Sequence, residues 1–150
     1  MIQRIQSVYL LIATGLLIWA SVGTFFVLDN QVVLNGFFAG YSQAHKFFTT
    51  LPLNILLWLG AAISFITIFL FKNRILQMRL TTFTILLLLG FYVLLIYYRF
   101  SGINRYIHVT SSLLNYHAIL PAISGILIFM AGRAIKKDEE LVRSADRFRD

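Results

Sequence analysis

Three side chains in this sequence are equipped for redox or ligand chemistry: His45, His108 and His117. A pair of imidazoles would suit haem b or a metal ion, and any one would hydrogen-bond a quinone headgroup. With Arg99 and Arg105, they are the residues that would line such a small-molecule site. Their spacing argues for something plainer. No two lie four residues apart, the separation that sets two ligands on one helix face. Histidines bonding water and lipid headgroups at a membrane interface are the simpler expectation, and no metal site is expected.

The search for other chemistry returns absences. There is no cysteine, which removes disulfides, iron–sulfur clusters, covalent haem attachment and thiolate zinc sites. The sequence has no H-E-x-x-H, no phosphate-binding loop, no G-x-S-x-G and no G-x-G-x-x-G. No catalytic residue is assigned, and neither an enzyme activity nor a cofactor is expected.

The elements that must hold these residues are apolar. Of 150 residues, 59% are hydrophobic and 13% charged, against roughly 25% charged in soluble domains. A soluble chain of this size has too much surface per volume to hide so many Leu, Ile and Phe side chains. Four windows, 7–28, 51–71, 80–98 and 112–132, have the length and apolarity of membrane spans. The 13 basic and 6 acidic residues all fall outside them. Hydrocarbon enforces that exclusion, because each central charge costs about 2.5–3.5 kcal/mol on insertion scales. The net charge of +7 is scattered in short clusters, so no nucleic-acid partner is expected.

Basic residues set the orientation. Arg4, Lys72, Arg74, Arg79, Arg133, Lys136 and Lys137 fall on one side; Lys46, Arg99 and Arg105 fall on the other. Both termini are therefore expected in the cytoplasm, with 29–50 and 99–111 outside. Tyr92, Tyr97, Tyr98, Tyr106 and Tyr116 then form an aromatic belt at the outer face. The absence of an acid in any span argues against an ion-coupled transporter, and no span shows a sustained polar stripe that would line a channel.

Between the spans, "NQVVLNGFFAGY" has two apolar runs around Asn35-Gly36. That dipeptide favours a type I′ turn, and 31–41 is expected to be a small β-hairpin. Span four repeats small residues at Ala118, Ala122, Gly125 and Gly132, and span two offers Gly60 and Ser64. Such faces let helices approach closely, first within the bundle and less readily between copies of the chain. Leu127 reads as lipid-facing. Pro121 would bend span four or mark its first turn.

The last 18 residues carry a dense run of charge, from Arg133 to Asp150. Arg133, Lys136 and Lys137 anchor the fourth span. Beyond them Leu141, Ala145 and Phe148 make a narrow apolar stripe at helical spacing, with Arg143 alongside. Two readings stand: a solvated continuation of the last helix, or a helix that docks on a partner or on the inner loop. The fold expected is an all-α membrane protein: a four-transmembrane-helix bundle over 1–132, a small extracytoplasmic hairpin or loop, and a cytoplasmic C-terminal helix over 133–150.

Two stretches, "MIQRIQSVYLLIA" at 1–13 and "RAIKKDEELVRSADRFR" at 133–149, resemble the two ends of a family of small Bacteroidota inner-membrane proteins, domain of unknown function 4293. The resemblance covers the whole chain and implies an inner-membrane location in a Gram-negative bacterium. It implies no activity and transfers no catalytic residue. The expected role is a non-catalytic accessory or scaffold subunit of a membrane complex. Its partners would be the lipid bilayer and another membrane protein or a second copy of the chain. The alternative is a quinone-, lipid- or haem-binding protein that uses the outer half of the bundle.

Overall fold

A computed structural model of the chain describes residues 2–28, 32–41, 46–71, 73–102 and 112–147. Helix α1 (Ile2–Val22) is followed by strands β1 (Thr24–Leu28), β2 (Val32–Asn35), β3 (Phe38–Tyr41) and β4 (Lys46–Thr49). Helices α2 (Leu51–Phe69) and α3 (Arg74–Tyr97) come next, α3 running into a π-helical turn at Tyr98–Gly102. Strand β5 (Ser112–Leu114) and a 3-10 turn (Tyr116–Ala118) lead into α4 (Leu120–Arg147). All four α-helices are long and apolar enough to cross a membrane.

The helices close a ring in which α1 packs on α2 and α4, and α3 packs on the same two neighbours. Their buried positions explain why. On α1 they fall at Gln6, Leu10, Ala13, Thr14, Leu17, Ala20 and Ser21; on α3 at Gln77, Thr81, Thr84, Leu88, Phe91 and Leu95. On α4 they fall at Pro121, Ser124, Ile128, Ala131 and Ile135. Steps of three and four residues dominate, strictly so on α3 and α4, the spacing that keeps one seam of a helix on its neighbours in a bundle. The seam is more polar than the outside. Thr14, Thr67, Thr81, Thr84 and Ser124 are buried, and each hydroxyl donates to a carbonyl of its own helix at 2.6–2.8 Å. That local bond spares the hydroxyl an unmet donor where water is absent. Gln77, Thr81 and Thr84 form the polar stripe that reading each span singly did not reveal. In the sequence these three moderately polar residues are diluted among leucines that face outward.

One end of the bundle carries a five-stranded antiparallel sheet of order β4-β3-β2-β1-β5. The expected hairpin is its middle pair, β2 with β3, but three further strands extend it. The expected 7–28 span is therefore too long: α1 stops at Val22, Gly23 turns the chain, and "TFFVL" is strand. The 112–132 span likewise begins late, with "SLL" in β5 and helix from Leu120. In both places an apolar strand abuts an apolar helix, and hydrophobicity alone cannot divide them. The turn chemistry also differs. Gly36 has no positive φ, so the tip is not type I′. Instead Phe37 N–H donates to Asn35 Oδ1 at 2.9 Å, and Gly36 serves close approach. A Cβ there would lie 3.1 Å from both Asn54 Cγ and the Ser21 carbonyl oxygen.

Pro121 sits in the first turn of α4 rather than at a bend. Position 133 lies inside α4, so nothing separates the tail from the fourth span. At 1.5 Å per residue that helix is about 42 Å long, against a hydrocarbon core of about 30 Å.

Candidate functional site

The sheet end brings together the residues with the most unusual surroundings. Phe25 is the residue at the irregularity in the β1–β2 register, which lies between Thr24 and Phe26. A bulge of this kind re-aims a side chain. Phe25 is fully buried and meets the Phe91 ring edge-on at 5.4 Å, plugging the bundle. Beside it, the His117 imidazole packs directly on Gly23, where a Cβ would overlap the ring. The neighbouring Tyr116 ring lies against that imidazole, centroids 4.1 Å apart and tilted by 36°. The 3-10 turn that presents His117 is fixed from both directions. Asn115 Oδ1 accepts from Tyr116 N–H at 2.8 Å, and Asn115 N–H donates to the Phe25 carbonyl at 3.0 Å. Tyr92 ties α3 to the same turn, donating from its hydroxyl to the Ala118 carbonyl at 2.7 Å. Thr50, the N-cap of α2, spends its hydroxyl on the Asn35 carbonyl at 2.6 Å and so holds the hairpin to the bundle.

Among the described residues, two buried polar atoms at this end have no hydrogen-bond partner, His117 Nδ1 and Asn54 Oδ1. Among the described residues no group of three or more His, Asp or Glu side chains is placed to hold a metal ion. Of the five small-molecule candidates, His45, Arg105 and His108 lie outside the described residues. Arg99 is in the π-helical turn with its guanidinium 5.6 Å from the Phe100 ring centre. His117 is in the 3-10 turn. Of the tyrosine belt, Tyr92, Tyr97, Tyr98 and Tyr116 are all at the sheet end, and Tyr106 lies outside the described residues.

The opposite end holds the tail. Arg74, the first residue of α3, reaches the Asp138 carboxylate at 3.3 Å and the Asp138 carbonyl at 3.2 Å. Lys136 and Glu140 approach at 4.0 Å along α4. Further on, Leu141 and Val142 are exposed. Arg143 and Ala145 continue the helical backbone, and Phe148 lies outside the described residues. Sequence reasoning missed Arg74 and Asp138, whose pairing joins residues 64 positions apart.

The small-residue candidates separate by position. Gly60 and Ser64 are buried in the seam, Gly60 facing Leu17, Thr84 and Leu88. Ala118 is buried in the 3-10 turn. Ala122 is exposed, and Gly125 borders an apolar groove of about 350 Å³ between α3 and α4. Leu127 is not lipid-facing as read above; it is partly buried against the core.

Four spanning helices around a polar seam define a multi-pass helical membrane protein. Its outward faces are the apolar ones, as lipid requires. Residues 2–148 match the family described as domain of unknown function 4293 (DUF4293), and the chain belongs to that family. No curated protein matches the chain.

Proposed function

We propose that the protein is a non-catalytic accessory or scaffold subunit of a complex in the bacterial inner membrane, with both termini in the cytoplasm. The observation that carries this reading is the unbroken run of α4 past Lys137, with Leu141 50% exposed on it. On a solvated helix that side chain gains nothing. Buried against a partner, a leucine contributes up to roughly 1.5–3 kcal/mol. The Arg74–Asp138 pair fixes the base of the extension, so its apolar residues are offered in a set direction. The test is Leu141→Ser with Phe148→Ser, which keeps every charge. The variant should insert and accumulate as wild type does but lose its co-purifying membrane proteins. An unchanged partner set refutes the reading. The Lys and Arg asymmetry supports the orientation. A cytoplasm-active reporter fused after Asp150 should work, and activity of a periplasmic reporter there refutes it.

A second reading, a quinone-, lipid- or haem-binding protein, draws on one atom, the partnerless His117 Nδ1. An absorption spectrum and a solvent extract of the purified protein test it. A featureless visible spectrum with no enriched small molecule removes it.

A further inference from the structure

At the end of the bundle away from the sheet, a cleft of about 600 Å³ opens between the start of α3 and the extension of α4. Asn73, Arg74, Ile75, Leu76 and Arg79 line one side, and Glu139 and Val142 the other. Its charged groups are not equivalent. Arg74 is engaged by Asp138, and Glu139 also has a partner. Arg79 is exposed, and among the described residues it has no ion pair, hydrogen bond or ring contact. The first turn of α3 has no acidic residue to neutralise it.

Arg79 lies about 7 Å further along α3 than Arg74, at 1.5 Å per residue. Leaning toward the helix N-terminus, its long side chain keeps the guanidinium at headgroup depth while its stem lies along apolar surface. Around it Ile75, Leu76 and Val142 are exposed apolar side chains. A cation with no partner among the described residues, beside apolar side chains and with Arg74 and Glu139 already engaged, matches one chemistry at the membrane surface: an anionic headgroup attached to hydrocarbon. The planar guanidinium can donate two parallel bonds to phosphate oxygens.

We propose that this cleft binds one anionic phospholipid of the surrounding leaflet. Arg79 holds the headgroup phosphate, and Ile75, Leu76 and Val142 pack on the first methylenes of the acyl chains. The site depends neither on which side of the membrane this end faces nor on the accessory-subunit reading.

The full chain in detergent, supplied with phosphatidylglycerol or phosphatidylcholine at equal concentration, can be read by native mass spectrometry. Wild type should retain one phosphatidylglycerol. Arg79→Gln should weaken that binding about tenfold, the loss of a hydrogen bond between charged groups. Arg133→Gln is the control: Arg133 is an exposed base 5.9 Å from the Phe129 ring centre and outside the cleft lining. Binding that survives Arg79→Gln, falls equally in Arg133→Gln, or is equal for phosphatidylcholine overturns the site. Should Arg79→Gln fail to fold, photoreactive phosphatidylglycerol on the wild-type chain decides. Adducts should map to 73–79 and 139–142, and labelling spread over all four helices overturns the proposal.

Discussion

Gly23→Ala puts one methyl group where the structure has an imidazole. The nearest atom to the added Cβ is His117 Cγ, the ring atom closest to the backbone. A terminal atom could swing aside, but Cγ moves only if the whole side chain rotates or the 3-10 turn shifts. Rotation is opposed by Tyr116, whose ring lies against the imidazole at 4.1 Å. Shifting the turn strains the Asn115 bond to Phe25 and the Tyr92 bond to Ala118. Overpacking of this kind costs about 1–3 kcal/mol, or roughly 2–12 °C of melting temperature for a chain of this size. Gly15→Ala and Gly90→Ala are the comparison, because nothing lies within 4 Å of a Cβ at either. Each should be neutral or stabilising by up to about 1 kcal/mol through helix propensity. His117→Ala should remove most of the Gly23→Ala penalty, giving a coupling energy of about 1–3 kcal/mol in a double-mutant cycle. Thermal unfolding in one detergent measures all of these. A Gly23→Ala chain as stable as Gly15→Ala, or one not rescued by His117→Ala, would refute the packing argument.

Gly60→Leu should destabilise by about 1–3 kcal/mol, because its side chain would press on Leu17, Thr84 and Leu88. Gly125→Leu should cost much less, since it fills the groove beside Tyr92 and Ile126; melting curves of the two in detergent compare them. Ser64→Ala should be neutral or stabilising by up to about 1 kcal/mol, because it removes a buried hydroxyl that has no partner; a loss of stability in the same assay would count against it. Arg74→Ala should cost about 1 kcal/mol or less, as partly exposed ion pairs do, and should speed amide exchange in 138–147, which hydrogen-exchange mass spectrometry follows.

The spans were legible because lipid imposes a coarse rule: charge stays out and apolar runs reach a fixed length. The hairpin at 31–41 was legible because Asn35-Gly36 interrupts two apolar runs. Its turn type was not, because Gly36 answers to Asn54 and Ser21, which approach it only in the folded chain. Strands β1, β4 and β5 were hidden for a different reason. "TFFVL" and "SLL" continue the apolarity of their neighbouring helices, and "KFFT" leads straight into α2. The polar seam was hidden by dilution, as Gln77, Thr81 and Thr84 stand among outward leucines. At the candidate site, the histidines were visible as chemistry, but the setting of His117 is made by Gly23, from a separate helix end. Arg74 was counted as a topology signal, and nothing local marked it as a partner for Asp138.

The two ends of this bundle are built from different kinds of joint. At the sheet end, strands follow α1 and precede α2 and α4, and backbone ladders bind those strands to one another. At the far end Leu70 and Phe71 turn the chain after α2, and Gln77 Nε2 of α3 donates to the Thr67 carbonyl at 3.0 Å. Arg74 then clips α4 to α3. Helix α1 packs along its seam on α4 and α2. The bundle is therefore braced differently at its two ends. Force applied to the tail would pass through Asp138 and Arg74 into α3 and, through the packing of α4 on α1, into α1 as well.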